Sequence, residues 1–355
     1  MQYKVIGLMS GTSRDGLDIA FCQFDKVGGA YTFELIATQH IEYDTDLKEV
    51  LKNAINLDVP DILELDSTYG QWIGEQVNLF IKKNKITPDF IANHGHTIHH
   101  RPEKGFTLQI GSGQEIALAT KYPVVADFRS KDIALGGQGA PLVPIGDQLL
   151  FSTYDCCVNL GGISNLSFTQ NNKRIAYDIA PVNMLLNYLS KKVGLEYDKN
   201  GKMASQGDIN IKILQELNQL SYYTKSFPKS LGFEWFQDKV IPIIDKSQDS
   251  VTNLLRTSIT HIVQQINLAL QSIKKDNLKV LLTGGGAKNT FLIEQLQQAT
   301  GVNIQIIVPS EELIDYKEAL IFGFLGVLSK NKEINCLQSV TGASQDSSSG
   351  VWYYP

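Results

Sequence analysis

The sequence predicts an α/β protein with two domains, and three observations lead to this prediction. The chain has 355 residues, which is long for one domain when a domain averages about 150 residues. Short apolar runs typical of buried strands alternate with amphipathic stretches of helical period. A strand, a glycine turn and a second strand occur near Gly11 and again near Gly161, which indicates a diverged internal duplication.

The first part of the chain predicts strands and helices in alternation. Apolar residues at spacings of three and four, such as Ile62, Leu65, Tyr69 and Ile73, predict a long helix. The predicted elements are strands 4–9, 17–21 and 31–39, helices 45–55 and 60–83, strands 90–92 and 106–110, a helix at 114–120 and a strand at 123–126.

A stretch rich in glycine and proline, 136–141, is the predicted linker. The predicted elements after it are strands 154–160, 163–169 and 174–178, helices 182–192, 209–220 and 249–273, a strand at 280–283 and a helix at 317–329. The polar run 346–350 near the C-terminus predicts a loose end.

Composition narrows the function classes. Hydrophobic residues make up 43% of the chain and charged residues 19%, so we expect a sizeable core. The net charge of −5 and the pI of about 5.7 argue against a nucleic-acid partner or an acidic membrane. No apolar run approaches the roughly 20 residues that cross a membrane. Residues 1–5 lead into a predicted strand rather than a signal peptide, so we expect a cytoplasmic protein.

Cysteine spacing excludes two kinds of site. The four cysteines are Cys22, Cys156, Cys157 and Cys336. They form no CxxC pair, so neither a zinc ribbon nor a thioredoxin-like motif is indicated. We expect buried free thiols.

The loop from Gly11 to Gly16 is the first candidate for chemistry. Its glycines let backbone N–H groups turn towards an anion, and Thr12 and Ser13 add hydroxyl donors. Asp15 would lie beside bound phosphates, where a carboxylate suits Mg²⁺. A Walker P-loop is excluded because a strand follows and Gly-Lys-Ser/Thr is missing. The alternative is a plain hairpin turn, for which Asp-Gly is a common pair.

Two further glycine motifs follow buried strands. Gly161 and Gly162 repeat the layout of strand, small residues and strand, and Gly284, Gly285 and Gly286 lead from a strand into a helix. Glycines there permit close approach of a phosphorylated ligand. Each motif alone is also explained by a tight turn, but three in one chain favour a nucleotide site.

Asp178 is the candidate general base. It ends a predicted strand and precedes a proline turn and a helix, where clefts form in α/β folds. The alternative is a capping or turn role ahead of the helix.

Four of the six histidines, His94, His96, His99 and His100, lie within seven residues. A zinc site is one interpretation, although no cysteine lies nearby. Hydrogen bonding to a substrate and a solvated loop are the alternatives.

Arg129 follows a predicted buried strand. Its guanidinium suits a bidentate contact with a carboxylate or phosphate. The alternative is a structural salt bridge with Asp127 or Asp132.

Together these motifs resemble the anhydro-N-acetylmuramic acid kinases. The matching blocks occur in the family's order and cover almost the whole chain: 7–13, 15–16, 93–97, 107–111, 124–129, 136–144, 159–163, 284–287 and 339–343.

The resemblance implies a two-domain fold of the hexokinase–actin superfamily, which is ribonuclease H-like, with ATP in an interdomain cleft. We expect residues 1–128 and a return at about 339–355 to form the phosphate-binding and substrate domain, and residues 129–338 to form the nucleotide-binding domain. The resemblance also suggests a homodimer.

The implied activity is the ATP-dependent conversion of anhydro-N-acetylmuramic acid into N-acetylmuramic acid 6-phosphate and ADP, with hydrolysis of the 1,6-anhydro bridge. Asp178 matches the catalytic aspartate, which takes a proton from the water that attacks the anomeric carbon. The bridge oxygen then attacks the γ-phosphoryl group, with Mg²⁺ and backbone N–H groups stabilising the charge.

The resemblance also assigns the other roles. Arg129 and Glu318 match family positions that hold the sugar, and Asn183 matches the asparagine after the catalytic turn. The other residues that we assign to the substrate, besides Asn183, are His94, Gly95 and Thr97. The residues assigned to ATP are Gly11, Thr12, Ser13, Asp15, Gly16, Asp18, Gly161, Gly162, Gly284, Gly285 and Gly286, with Asp15 also assigned to the metal.

The chain departs from the family pattern beside Asp178. Ile179, Ala180 and Val182 stand where the family has threonine and glycines, so the turn has less freedom to adopt positive φ. Arg14 replaces an apolar residue, and His96 replaces a glutamine. Two other functions therefore stay open: an ordinary hexosamine kinase without ring hydrolysis, and a non-catalytic regulator that binds ATP and the sugar.

Overall fold

The computed structural model describes residues 1–11 and 14–355, so the predicted binding residues Thr12 and Ser13 lie outside the described residues. The chain divides into two compact units, the first made of Met1–Leu150 with Tyr316–Pro355 and the second of Phe151–Asp315. The predicted domain boundaries, at 128/129 and 338/339, differ from these bounds and stay a prediction.

The chain begins with a hairpin of long strands. The elements up to residue 150 are β1 (Gln2–Ser10), β2 (Gly16–Val27), β3 (Ala30–Glu42), α1 (Thr45–Asn53), α2 (Val59–Asn84), β4 (Phe90–Arg101), β5 (Phe106–Ile110), α3 (Gly113–Thr120), β6 (Val124–Ala126), α4 (Ser130–Ala134) and α5 (Val143–Leu150).

The second unit begins with another hairpin. Its elements are β7 (Cys156–Leu160), β8 (Ile163–Gln170), β9 (Lys173–Pro181), α6 (Asn183–Lys191), α7 (Ile211–Asn218), α8 (Phe233–Trp235), α9 (Ile241–Asp245), α10 (Val251–Gln271), β10 (Leu278–Thr283), α11 (Thr290–Thr300) and β11 (Ile304–Ile307). A π-helical turn, Phe236–Val240, joins α8 to α9.

The chain ends with α12 (Glu311–Lys330), α13 (Gln338–Thr341) and β12 (Val351–Tyr353). Short 3₁₀ turns are present at Ala54–Asn56, Pro102–Lys104, Lys199–Gly201, Ala204–Gln206 and Gly285–Lys288. Among the described residues, no helix combines the length and the apolar character needed to span a membrane.

Each unit is built on one mixed sheet, and the two sheets share a strand order. In the first unit β3–β2–β1 are antiparallel, and β4 and β6 continue the sheet parallel to β1. In the second unit β9–β8–β7 are antiparallel, and β10 and β11 continue it parallel to β7. The predicted α/β class and the predicted duplication are confirmed by this shared order.

The first unit adds two strands to the shared order. β5 pairs with β4, and β12 pairs with β6.

Helix α2 covers one face of the first sheet. Asp58 caps its N-terminus by accepting a hydrogen bond from the backbone N–H of Asp61. The apolar stripe, including Tyr69 and Ile73, is buried against β1 residues such as Leu8. This packing leaves the C-terminal ends of the parallel strands β1, β4 and β6 at one edge, where ligands bind in α/β sheets.

Helix α12 crosses β1 at close range. A Cβ on Gly7 would collide with the carbonyl oxygen of Ala319, so this strand position admits only glycine. The contact holds the segment that carries Lys317 and Glu318 beside the first sheet.

Two sequence predictions about loops change with the structure. The predicted linker 136–141 lies inside the first unit. Asp132 fixes it there by accepting the backbone N–H of Gly139 at 2.8 Å. The predicted loose end at 346–350 is wrong. Ser349 is buried, and its backbone N–H donates to Asn335 Oδ1 at 2.7 Å. All four cysteines are buried thiols outside any disulfide, as predicted.

Candidate active site

In the second unit, the turn after β9 lies on the Gly161–Gly162 turn. The backbone N–H groups of Val182 and Met184 donate to Gly162 O at 2.8 and 3.1 Å. Asn183 donates through its backbone to Gly161 O at 3.2 Å and through Nδ2 to Leu160 O at 3.1 Å. The structure therefore brings Asn183, assigned to the substrate, into contact with the Gly161–Gly162 turn, assigned to ATP.

The glycine triplet approaches the same turn. Gly284 has φ of 81°, and a Cβ there would lie 2.5 Å from Asn159 Oδ1. A Cβ on Gly286 would lie 2.8 Å from Leu160 Cβ and 3.3 Å from Asn183 Oδ1. Backbone conformation and packing thus explain these two glycines.

Gly162 and Gly285 have no such structural explanation. Neither adopts a left-handed φ. A Cβ would meet no atom nearer than 3.8 Å at Gly162 and 3.5 Å at Gly285, and both residues are exposed. The missing side chains leave bare backbone open to solvent, which suits close approach by phosphate groups. These loops contain the residues of the second unit that the sequence assigned to ATP.

Asp178 lies near the end of β9 with one carboxylate oxygen held. Its Oδ2 accepts the backbone N–H of Leu231 at 2.8 Å, and among the described residues no hydrogen bond to Oδ1 is formed. The residue is half-buried, and burial raises the pKa of its carboxyl group, while the Leu231 N–H lowers it. A carboxylate with one oxygen held and the other open is arranged to accept a proton.

The altered residues beside Asp178 are accommodated by the core. Asp178 pairs with Asn165 and Ala180 with Ser164, so Ile179 is the extra residue of a β-bulge. Ile179, Ala180 and Val182 are buried in the core of the second unit. None of them adopts a positive φ, so this turn needs no glycine at these positions.

In the first unit, the opening loop joins β1 to β2. Gly11 O accepts the backbone N–H of Arg14, and Asp15 O accepts that of Tyr43, each at 3.2 Å. The carboxyl group of Asp15 belongs to an exposed residue. Hairpin geometry and an exposed acidic residue are therefore present in the same loop.

A buried hydroxyl network closes the base of this loop. Ser10 Oγ lies 2.9 Å from His96 Nδ1 and accepts the Tyr43 hydroxyl at 2.7 Å. Tyr43 and Tyr69 join their hydroxyls at 2.6 Å. Burial, aided by Arg14, lowers the pKa of His96 to about 4, so His96 is neutral at physiological pH.

His94 and Arg129 form a pair with a defined tautomer. Arg129 can only donate, and its Nη2 lies 2.8 Å from His94 Nε2, which must accept. His94 Nδ1 lies 2.8 Å from Gly95 O and therefore carries the proton. Burial first, and then Arg129, hold the pKa of His94 well below its usual range. Arg129 Nη1 donates to Gly139 O at 2.7 Å.

The structural alternative for Arg129 is replaced by this pair. Asp127 accepts the backbone N–H of Ser130 at 3.1 Å, and Asp132 accepts the Thr341 hydroxyl at 2.8 Å. Arg129 is therefore positioned by a neutral histidine and a carbonyl, which leaves its positive charge available to an anionic or hydroxyl-rich ligand.

Glu318 lies within the electrostatic reach of three charged groups. Protein atoms crowded around its carboxyl group raise its pKa, Lys317 and Arg129 lower it, and Asp18 raises it. Lys317 itself forms an ion pair with Asp147 at 2.7 Å, and both side chains are buried. The structure thus joins Asp18, Arg129 and Glu318 in one polar region of the first unit.

The other predicted residues of β4 have separate partners. Thr97 Oγ1 accepts Gln109 Nε2 at 3.2 Å, and His100 Nδ1 lies 3.1 Å from Thr107 Oγ1. Within residues 1–11 and 14–355, no three His, Cys, Asp or Glu side chains are grouped to hold a metal. The zinc interpretation of the histidines therefore gains no support from the geometry.

A magnesium site in a kinase needs fewer protein ligands than a zinc site. A kinase magnesium ion takes most of its ligands from water and the nucleotide phosphates, with one or two carboxylates. Asp15 is exposed, and Asp18, three residues on, is half-buried and paired with His40 at 2.7 Å. These carboxylates fit a magnesium ion that arrives with ATP.

Sequence reasoning missed several residues that position the predicted ones. Ser10 lies inside the block 7–13 at the end of an apolar strand, and this position is the signal that would have marked it. Lys317 adjoins Glu318, but no local pattern marks it as buried. Asp132 accepts a hydrogen bond from the 136–141 loop, whereas the sequence indicated it only as a salt-bridge partner for Arg129. Tyr222 and Leu231 contact Asp178 from a segment without any motif.

Comparisons with known proteins agree with this geometry. The family model described as anhydro-N-acetylmuramic acid kinase matches residues 3–355. The anhydro-N-acetylmuramic acid kinase of Sulfurimonas denitrificans is 33% identical, and the alignment covers 98% of each chain. That of Aliivibrio fischeri is 36% identical, with 99% of each chain covered.

Among solved structures, the ROK hexokinase from Thermus thermophilus is 11% identical, with 92% of this chain and 99% of that chain covered. Its TM-score of 0.41 is too low for the likeness to bear on fold or function. The family match over residues 3–355 and the full-length relatives are sufficient: the chain belongs to the anhydro-N-acetylmuramic acid kinase family, and it is a phosphotransferase that acts on an alcohol group of a sugar.

Proposed function

We propose that this kinase opens the 1,6-anhydro ring of anhydro-N-acetylmuramic acid with water and phosphorylates the 6-oxygen, giving N-acetylmuramic acid 6-phosphate and ADP. The observation that carries the proposal is Asp178, a half-buried carboxylate with one oxygen held and the other open. Such a group suits the deprotonation of a water or a sugar hydroxyl, and the proposed ring opening uses it on water.

The proposed reaction balances in its atoms. Asp178 takes a proton from water as the water oxygen bonds to the anomeric carbon. The bond from that carbon to the bridge oxygen breaks, and the freed 6-oxygen attacks the γ-phosphorus of ATP. The bond from that phosphorus to the β,γ-bridging oxygen breaks, and ADP leaves.

Bare backbone in the second unit supports the proposed ATP site. Gly162 and Gly285 are exposed, and a Cβ would meet no atom nearer than 3.5 Å at either residue. A magnesium ion bound with ATP, held by Asp15 and Asp18, would neutralise charge on the transferring phosphoryl group.

Charged side chains in the first unit support the proposed sugar site. Arg129 is positioned by His94 and Gly139 O, which suits a carboxylate or hydroxyl of the amino sugar. Glu318 lies close enough to Arg129 for their charges to interact and would accept from a sugar hydroxyl.

Isotope labelling tests the proposal directly. Purified protein is incubated with Mg·ATP and anhydro-N-acetylmuramic acid in ¹⁸O-water, and ADP release and product mass are followed. We expect one ¹⁸O atom at the anomeric carbon for each ADP formed. ADP formation without ¹⁸O would replace ring hydrolysis with simple phosphorylation.

Comparing several sugars as phosphoryl acceptors distinguishes the proposed activity from that of an ordinary hexosamine kinase. Turnover of N-acetylglucosamine or N-acetylmuramic acid at the rate of the anhydro sugar would favour that function. Sugar binding without any ADP release would favour the regulator, although the buried packing of Ile179, Ala180 and Val182 removes the reason for suspecting it.

We further propose a cytoplasmic homodimer without a nucleic-acid partner. The net charge of −5 supports the last point. Light scattering on the purified protein tests the dimer, and a monomer at working concentration would overturn it.

A further inference from the structure

One segment holds Asp178 at three points. Between α7 and α8, the Tyr222 hydroxyl donates to the backbone carbonyl of Asp178 at 2.6 Å. The backbone N–H of Asp178 donates to Lys229 O at 3.3 Å, and the Leu231 N–H donates to Asp178 Oδ2 at 2.8 Å. These contacts all come from residues 222–231, the 222–231 segment.

The 222–231 segment is itself fixed to the helices beneath it. Tyr223 OH lies 2.9 Å from His261 Nε2, and His261 Nδ1 lies 2.7 Å from Asn218 Oδ1. The amide oxygen can only accept, so His261 carries its proton on Nδ1 and accepts from Tyr223. Burial lowers the pKa of His261 to about 3, which keeps this arrangement neutral.

The segment also closes on itself. Lys229 Nζ donates to Tyr222 O at 3.5 Å and lies 4.7 Å from the centroid of the Tyr222 ring. The residues that contact the Asp178 backbone are therefore linked to each other as well as to Asp178.

We propose that the 222–231 segment positions the catalytic base, with Tyr222 and Lys229 fixing the backbone of Asp178 and the Leu231 N–H fixing its carboxylate. This inference rests on the proposed role of Asp178. The segment directs one oxygen into the protein and leaves the other for water. Two backbone contacts and one side-chain contact together define both the location and the rotation of the carboxyl group.

The charged and titratable groups that face Asp178 within the second unit are few. The Leu231 N–H stabilises the ionised carboxylate. The phenol of Tyr222 has a pKa raised first by burial and then by the Asp178 charge. Lys229, whose backbone carbonyl accepts from the Asp178 N–H, has its ammonium 5.5 Å from the Tyr177 ring. Loss of the N–H should therefore make Asp178 harder to ionise.

The decisive test compares two substitutions at one position. Leu231→Pro removes the N–H, whereas Leu231→Ala keeps it. For Leu231→Pro we expect the acidic limb of the pH profile of kcat/KM to move to higher pH by about one unit. For Leu231→Ala we expect the limb at its wild-type position. Coincident limbs for the two variants would overturn the inference.

A second variant serves if Leu231→Pro does not fold, as judged by thermal unfolding. Tyr222→Phe keeps the N–H but loses the contact with the Asp178 carbonyl, so we expect kcat to fall about tenfold with KM unchanged. Tyr188→Phe, whose hydroxyl binds Asp245 instead, is the matched control and should keep wild-type kcat. A wild-type kcat for Tyr222→Phe would overturn the inference.

Asp178→Asn separates this inference from the proposed function. If it keeps the wild-type rate, the proposed base is wrong and the inference fails with it. If it abolishes the rate while Tyr222→Phe and Leu231→Pro behave as wild type, the base stands and the positioning role alone is wrong.

Discussion

The two units share one strand order but carry different groups at their predicted sites. The order β3–β2–β1–β4–β6 in the first unit corresponds to β9–β8–β7–β10–β11 in the second. At its predicted site the first unit carries charged side chains, among them Arg129 and Glu318. The second carries bare glycine backbone and a single carboxylate, Asp178. Under the proposed function, the first unit would recognise the sugar by charge, and the second would transfer a proton beside the phosphates.

Asp178→Asn tests the second unit's side of this comparison and has the largest expected effect. Without a general base, kcat should fall by about 10²–10⁴-fold. Stability should move the other way. Burial raises the folded-state pKa of Asp178, so its ionised form opposes folding above that pKa, and asparagine removes this cost.

The measurements are ADP release and thermal unfolding at neutral pH. A loss of rate together with a fall in melting temperature would mean that Asp178 is structural. An unchanged rate would remove it from the mechanism.

Lys317→Met tests whether a buried ion pair stabilises the first unit. Lys317 and Asp147 form a buried pair at 2.7 Å. Removing one partner leaves a buried charge, which typically costs 3–5 kcal/mol. We expect urea unfolding to show a loss of about this size. The double variant Lys317→Met/Asp147→Leu should recover most of the lost free energy of unfolding. If it does not, the ion pair stabilises the fold through more than the mutual neutralisation of its two charges.

The sequence predicted the fold and the glycine motifs well because both depend on local patterns. Every predicted strand and helix overlaps an observed element, and β4 is longer than predicted because its polar histidines interrupt the apolar pattern. Helix α11 was expected after the glycine triplet but without bounds, and strand β11 was missed although Ile304 and Ile306 pack on the second core. Gly161 and Gly162 were predicted as a turn between two strands, and the structure has that turn between β7 and β8.

Contacts between distant segments could not be predicted in this way. Tyr222 and Leu231 reach Asp178 across 44 and 53 residues, and no periodicity or motif marks them. The buried packing of Ile179 was equally hidden, because a β-bulge decides which face a residue occupies.

Glu318→Gln tests recognition by charge in the first unit, with a smaller effect. The neutral amide keeps the size of the side chain but loses a charge-assisted hydrogen bond to a sugar hydroxyl. We expect kcat/KM for the sugar to fall about 10–100-fold, mostly through KM, since such bonds contribute roughly 1.5–3 kcal/mol. A fall confined to kcat would move Glu318 from sugar binding to chemistry.

Gly162→Ala tests the bare backbone of the second unit and has the smallest expected effect. A methyl group there meets only Met184 Cε at 3.8 Å, so the protein should fold normally. It would stand where a phosphate approaches, and KM for ATP should rise about three- to tenfold while KM for the sugar stays unchanged, as one weakened hydrogen bond predicts. Gly284→Ala is the matched contrast, because its φ of 81° and the 2.5 Å contact with Asn159 Oδ1 should lower stability. An unchanged KM for ATP in Gly162→Ala would show that this glycine serves the turn alone, and the division of labour between the units would then rest on Asp178.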